Sequence, residues 1–425
     1  MKTEPALDDI LQAAEKQKGV IDPSPVVRSG YLSRLFDCEV FLKLENLQET
    51  GSFKVRGAFN RIRLLKSDER ERGVVAASAG NHAQGVAWAA TRLGISALVV
   101  MPEDVSLRKL LSVKEYGAEV ILKGTCYDDA YEHAVVLAAE TGRTLIPAFN
   151  DIHVMAGQGT IGLELSHLLD KDTAVVVPIG GGGLISGIAV AAKSICQEVK
   201  ILGAQTESYP SVLRALGKDP AGHSRIGPTI ADGIAVKKPG DLNLSIIREW
   251  VDEVVAVDEE TIAGAVLDLL DKSSVVAEGA GAASVAAVMS AKFASRAKRL
   301  IFIISGGNIE IHTMDRILHR GSIRMGRLIK LEVNLPDSPG SLWRLLGLVA
   351  EKKANILHIF HDRLNLANPI QVSRVTLSLE TRGHDHAGEI VEALQGAGYD
   401  VMFRPAVSGG KEENRNQEVA PTERP

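Results

Sequence analysis

Between residues 73 and 205, short β-branched runs alternate with amphipathic stretches. "GVVAAS", "ISALVVMP", "AEVILKG", "TLIPAF", "TAVVVPIG" and "KILGAQ" read as buried strands, each followed by a helix-like segment. "DEVVAVD" and "RLIFIISGG" continue the pattern further on. Such a β-then-α order predicts an α/β fold with parallel sheets covered on both faces. Ligands in these folds bind beyond the carboxyl ends of the strands, so those junctions are where chemistry is sought.

After about residue 327 the pattern changes. "LIKLEVNL" alternates strictly, with Ile329, Leu331, Val333 and Leu335 on one face and Lys330, Glu332 and Asn334 on the other. A "PDSPG" turn follows, and Leu342, Leu345, Leu346, Val349 and Ala350 form one helical stripe. "NILHIFHD", "VSRVTLSLE", a helix over "AGEIVEALQ" and a strand "YDVMF" complete a ferredoxin-like βαββαβ pattern. The chain therefore reads as a domain over 1–320, a separate domain over 327–406 and a polar, disordered tail over 407–425.

Composition narrows the function classes. A formal net charge of -5 offers no basic footprint for nucleic acid or for an anionic membrane, so small molecules are the expected partners. Cys38, Cys126 and Cys196 lie far apart with no CxxC pair and no histidine at metal-ligand spacing. They read as free thiols of a reducing cytosol, and no metal site is expected. The N-terminal "MKTEPALDDILQAAEK" is acidic and lacks an apolar signal-peptide core. The apolar "AVVVPIGGGGLISGIAVAA" is broken by Pro178 and four glycines, and parses as strand, tight loop and helix rather than a membrane span.

Three strand ends carry unusual residues. In "SAGNHAQG", Ser78, Ala79, Gly80, Asn81 and His82 occupy a strand-to-helix junction where free N–H groups favour a carboxylate-sized anion, or where Ser78 or Asn81 simply caps the helix. In "VPIGGGGLISG", Gly180, Gly181, Gly182 and Gly183 let the backbone fold round a phosphate. Neither G-x-G-x-x-G nor a Walker sequence fits there. In "IISGGN", Ser305 is a turn residue or a contact for a ring nitrogen. A lysine, Lys54, stands in "GSFKVRGA" between Gly51 and Gly57, a Gly-bounded turn in which it is either a solvated surface charge or a functional amine. Phosphate cup, carboxylate site, ring-nitrogen contact and lysine together describe a pyridoxal phosphate site with Lys54 as its Schiff-base lysine.

"KLENLQETGSFKVRGA", "SAGNHAQG", "AGQGTIGLE", "VPIGGGGLISG", "ADGIAVKKPG" and "SGGNI" resemble, in order and spacing, the successive motifs of threonine dehydratases (threonine ammonia-lyases) over about residues 20 to 320. The resemblance implies a two-lobed fold type II, tryptophan synthase β-like domain with open parallel-type sheets and a smaller lobe over about 51–152. It implies a cytoplasmic enzyme that converts L-threonine to 2-oxobutanoate and ammonia, with a side activity on L-serine. It also implies that Phe53 packs beside the cofactor, Asn81 contacts its 3-hydroxyl, Gly180 to Gly183 hold its phosphate and Ser305 meets the pyridine nitrogen. Ser78 to His82 would receive the substrate carboxylate. Lys54, freed from the cofactor with a pKa lowered by enclosed cationic surroundings, would take the Cα proton. A serine at the pyridine nitrogen cannot hold it protonated as an aspartate would, which favours β-elimination. The family suggests the cofactor phosphate as proton donor to the leaving hydroxyl.

Serine racemases share much of this framework, but Ala79 stands where they carry a second serine base, and Gln205 and Ser211 stand where their metal site needs acids, with Glu207 nearby. Serine dehydratase, a catabolic threonine dehydratase and a regulatory protein on a dead catalytic fold are further alternatives; Lys54 and the glycine loop are both intact, against the last. Ser106 replaces the proline usual in dehydratases and reads as a neutral loop change. The C-terminal segment resembles an ACT domain, which implies allosteric regulation, with an amino-acid effector bound at Asp337, Ser338, Pro339, Gly340 and Ser341. A role in isoleucine biosynthesis, inhibition by isoleucine with valine opposing it, and a homo-oligomer, expected to be a tetramer, are likewise implied.

Overall fold

The strands sort into three sheets whose membership follows burial. In the computed structural model, which describes residues 4–218, 227–294, 296–364 and 369–403, the strands are β1 (Val26–Arg28), β2 (Glu39–Leu44), β3 (Val74–Ala77), β4 (Ala97–Met101), β5 (Glu119–Leu122), β6 (Thr144–Leu145), β7 (Thr173–Pro178), β8 (Lys200–Thr206), β9 (Glu253–Val257), β10 (Arg299–Ile304), β11 (Leu328–Pro336), β12 (Asn355–Asp362), β13 (Val372–Glu380) and β14 (Asp400–Phe403). The chain divides into two units between Thr313 and Met314, inside the helix Ile311–Arg324. The expected tail, 407–425, lies outside the described residues.

The first unit holds a six-stranded sheet in the order β1-β2-β10-β7-β8-β9 and a four-stranded one in the order β5-β4-β3-β6. β7, "TAVVVP", is buried at every position because helices cover both faces, as a parallel central strand requires. All pairings in these sheets are parallel except β1 with β2. That exception corrects the purely parallel expectation. The N-terminal segment, which the alternation leaves unread, lays β2 beside β10 and returns β1 against the outer edge of β2. "TLIPAF" is strand only at Thr144–Leu145. Ala148 and Phe149 then line a cavity instead of extending the sheet.

Lys54 does not sit in a turn. It is the first residue of the helix Lys54–Arg63, and Gly57 lies inside that helix. A Cβ at Gly57 would collide with the Gln158 amide and come 2.8 Å from the Val154 carbonyl oxygen, so glycine here lets the helix Ile152–Glu164 approach backbone to backbone. The same two helices share buried charge. Arg56 donates through Nε and Nη2 to the Glu45 carboxylate at 2.8 Å each, and through Nη1 to Glu164 at 2.6 Å and Thr160 at 3.0 Å. Lys43 donates to Glu164 and, at 2.6 Å, to the Ser24 carbonyl. Two cations thus meet two carboxylates. Burial would lower the Arg56 pKa, but Glu45 and Glu164 outweigh it and hold the guanidinium above its ordinary value.

The second unit is a four-stranded antiparallel sheet in the order β12-β13-β11-β14, with the helices Ser341–Glu351 and His384–Gly396 completing a βαββαβ sequence. Ile329, Leu331, Val333 and Leu335 are buried together with Leu345 and Val349, whereas Ala350 is exposed. Among the described residues no helix is long and apolar enough to cross a membrane.

Replacing Arg56 by Ala strands the fully buried Glu45 carboxylate. The expected loss is about 3–5 kcal/mol, the range for breaking one side of a buried pair, read by urea unfolding. An Arg56→Ala variant as stable as the parent would show that the cluster contributes nothing to the fold.

Candidate active site

β7 and β10 are parallel neighbours, so the loops after them open on the same side of the six-stranded sheet. The loop after β3 comes from the other sheet to meet them. One cavity of about 650 Å³ results, and Phe53, Lys54, Ser78, Ala79, Gly80, Asn81, His82, Gly180, Gly181, Gly182, Gly183 and Ser305 all line it. Residues more than two hundred positions apart share it because parallel strands align their carboxyl ends.

The glycine loop is shaped by its neighbours. A Cβ on Gly181 would run into the Phe149 ring, and one on Gly182, at φ +99°, would lie 2.8 Å from the Asn243 Cβ. The helix Gly183–Ile195 starts there without a side-chain cap, leaving its first N–H groups for an anion. The Ser78 loop is alike. Gly80, not Ser78 or Asn81, stands at the cap position of the helix Asn81–Arg92 and supplies no side-chain bond. Ser78 Oγ instead accepts the Gly80 N–H at 3.1 Å. Ser305 places its hydroxyl residue on the cavity wall while its carbonyl accepts the Phe53 N–H at 3.1 Å, tying the end of β10 to the start of the Lys54 helix. These features fit pyridoxal phosphate: an uncapped glycine cradle for phosphate, a second uncapped terminus for a carboxylate, and a lysine lining the same cavity. Gln158 adds a buried amide oxygen without a partner on the same wall.

Lys54 is half-buried and lines the cavity. Its ammonium donates to the Ala148 carbonyl at 3.1 Å. Burial lowers its pKa to about 8, against a smaller upward pull from Glu278. The cause is therefore desolvation rather than neighbouring cations, which corrects the sequence-based account. Burial and the nearby Lys54 charge push His82 down to about 3. His82 is therefore a neutral ring, whose Nε2–H donates to the Ile146 carbonyl at 2.9 Å. It contributes no positive charge to carboxylate binding.

Glu278, Asn308, Lys109, Asp128, Asp232 and Lys237 also line the cavity, and the sequence reading assigns them no task. Asn308 belongs to the same "IISGGN" run as Ser305, a local signal for its place in the cavity. Glu278 carries no comparable signal; it is one acid before a small-residue helix, Gly279–Met289. Burial and the Asp232 charge raise its pKa to about 7, and the Asn81 Nδ2 donates to it at 2.7 Å. Lys109 pairs with Asp232 at 2.7 Å and Lys237 with Asp128 at 2.5 Å. Ser106 is more than a neutral loop residue. Its hydroxyl caps the helix Leu107–Glu115 and donates to Glu310 at 2.7 Å.

The second unit carries the expected effector loop between β11 and its first helix. Asp337 is held in a two-point pair by Arg363 at 2.8 and 3.1 Å, Ser338 and Ser341 hydroxyls lie 3.0 Å apart, and Gly340 turns the chain at φ +84°.

Because Glu278 holds its proton up to about pH 7 when folded and only to about 4.5 when unfolded, it favours the cofactor-free fold below pH 4.5. That contribution is lost as pH rises through 7. Glu278→Gln should gain stability over the parent between pH 5 and 8, by up to about 3 kcal/mol, in paired thermal melts. A pH-independent difference would refute the shift.

A family model described as pyridoxal-phosphate-dependent enzyme matches residues 18–306. The L-threonine ammonia-lyase of Thermotoga maritima is 49% identical over 397 residues, which is 93% of this chain and 99% of that protein. The processed form of threonine deaminase isoform 2 from Solanum lycopersicum superimposes with a TM-score of 0.68 at 33% identity, over 74% of this chain and 90% of that one. Maize serine racemase gives a TM-score of 0.68 at 33% identity, over 75% of this chain and 98% of that one. With motif order, cavity and cradle in agreement, the chain belongs to the pyridoxal-phosphate-dependent enzymes, in the group that holds the L-threonine ammonia-lyases.

Proposed function

We propose that the chain is an L-threonine ammonia-lyase, with L-serine as a secondary substrate. The observation that carries this is the meeting of Lys54, its pKa drawn down to about 8, with two uncapped helix termini in one cavity. Lys54 is the residue that would hold the cofactor through its amine. Gly180 to Gly183 would take the phosphate, Asn81 the ring hydroxyl, Ser305 the ring nitrogen, and Phe53 one side of the ring. When bound, pyridoxal phosphate supplies the electron sink that makes a Cα proton removable.

The protein's own groups do the rest. The amides from Ser78 to His82 receive the substrate carboxylate and orient the Cα–H bond. Lys54 takes the Cα proton; at a pKa near 8 roughly a tenth of its amine is unprotonated at pH 7, far more than an ordinary lysine offers. Ala79 lines the cavity without an ionisable group, so it offers no second base for returning a proton to another face. That favours elimination over racemisation. Gln205 closes its own loop with a neutral amide, whose Oε1 accepts from the Val212 and Leu213 N–H groups at 3.1 Å each. Glu207 pairs with Lys292 at 2.6 Å.

The second unit is read as an ACT-like regulatory domain over 327–406, binding an amino acid at Asp337 to Ser341. Its topology and the 93% coverage by a full-length ammonia-lyase relative support this. The β12 edge, with Leu357, Ile359 and Phe360 exposed, supports assembly with further copies, read as a homo-tetramer. Isoleucine is the proposed inhibitor and valine its opponent, in keeping with a biosynthetic role. Such effectors must prefer one state of the protein.

Purified protein given L-threonine should release 2-oxobutanoate, and Lys54→Ala should lower kcat by about a thousandfold or more while removing the visible band of bound cofactor. Faster turnover of L-serine would favour a serine dehydratase, and D-serine as the main product a racemase. Isoleucine should raise the threonine concentration needed for half-maximal rate, and Asp337→Ala should abolish that response. No change in either protein would refute the effector site.

A further inference from the structure

Asn308 stands where four elements meet. Its side-chain amide nitrogen has two hydrogens and both are spent, on the Thr50 carbonyl at 2.7 Å and on Asn81 Oδ1 at 2.8 Å. Gln84, one turn along the Asn81 helix, presents Oε1 at a longer 3.5 Å. The Asn308 backbone amide pulls the Glu278 carboxyl pKa down, against the larger upward push of burial. One residue earlier, the Gly307 N–H donates to the Gly51 carbonyl at 2.9 Å.

The donor and acceptor ends of this chain are not free to choose. The Thr50 carbonyl is only an acceptor, so the Asn308 amide must turn its nitrogen toward it. That same nitrogen then faces Asn81 and requires its oxygen there. Asn81 is left with its NH₂ on the opposite side, where it donates to Glu278 at 2.7 Å. The orientation of Asn81 is thus dictated from Thr50, four residues before Lys54, through Asn308.

We propose that Asn308 is the positioning residue that presents the Asn81 amide nitrogen to the cofactor, and that links this presentation to the turn leading into Lys54. The inference rests on the reading of Asn81 as the contact to the cofactor's ring hydroxyl. Asn308 itself acts through Asn81. Thr50 and Gly51 make the coupling two-sided, because a shift of the Lys54 turn moves the acceptor that sets Asn308, and hence Asn81. An aspartate at 308 would turn two acceptors toward the Thr50 and Asn81 oxygens; Asn81 would reverse its amide, and Glu278 would lose its side-chain donor.

The test is a double-mutant cycle on the cofactor-loaded protein with Asn308→Ala, Asn81→Ala and the pair, alongside Asn308→Asp. Two readouts are taken: cofactor dissociation constant from the visible band, and kcat/KM for L-threonine. Asn308→Ala is expected to weaken cofactor binding by roughly tenfold, as for one lost buried hydrogen bond, and to lose less than about twofold more when Asn81 is already Ala. Asn308→Asp should also displace the pH dependence of the visible band, which a merely structural role would leave in place. Effects that multiply in the double variant, or an unchanged band in Asn308→Asp, overturn the proposal. If Asn81→Ala alone leaves cofactor affinity and kcat/KM at parent values, the reading of Asn81 has failed, and the proposal with it. Should Asn308→Ala fail to fold, Asn308→Ser keeps one donor and runs the same cycle, with the same multiplicative result counting against the proposal.

Discussion

The buried set of Arg56, Glu45, Glu164 and Lys43 is the constraint on which the catalytic unit rests. Arg56 lies two residues after Lys54 on one helix, Glu45 follows directly on β2, and Glu164 ends the helix that packs against Gly57. Two positive and two negative groups leave no net buried charge, and Thr160 and the Ser24 carbonyl take remaining hydrogens. Desolvating four charges is costly, and the cluster is tolerable only because nearly every donor finds an acceptor. Its geometric effect is to seat the helix carrying Lys54 against the six-stranded sheet. The same helix packs into the core that surrounds β3 and β4, so it belongs mechanically to both sheets.

Within the cavity one cause produces two opposite shifts. Burial disfavours charge, which lowers the Lys54 amine and raises the Glu278 carboxyl toward each other's range. Glu278 pulls the Lys54 amine back upward without cancelling its shift. Around them the anion sites are made of backbone N–H groups rather than cationic side chains. A lysine that must act as a base is therefore not crowded by fixed positive charge. The other lysines lining the cavity, Lys109, Lys237 and Lys238, are each paired with an aspartate.

Much of this was legible beforehand, for physical reasons that differ by element. Buried parallel strands write themselves as uninterrupted apolar runs, and β7 and β10 are found where those runs stand. The glycine loop is legible because four successive glycines have few structural uses. The second unit is legible because half-exposed strands alternate. β1 and β2 were missed since they are short or lack the pattern of a strand followed by its helix. Gly57 looked like a turn residue and proved to be a packing contact, which no local signal distinguishes. The role of Ser106 as a cap was likewise invisible, because its partner Glu310 lies far along the chain.

By itself the sequence determined most of the element types, the family and the motif residues that line the cavity, since each of these depends on local pattern or on motifs of a few residues. Tertiary structure alone decided which strand ends became neighbours and how far water was excluded from Lys54. It also decided which way the Asn81 amide points and that Glu278 belongs to the site at all. Those properties depend on distances between groups far apart in the chain, on how completely each charge is desolvated, and on donors and acceptors that acquire a direction only once their partners are in place.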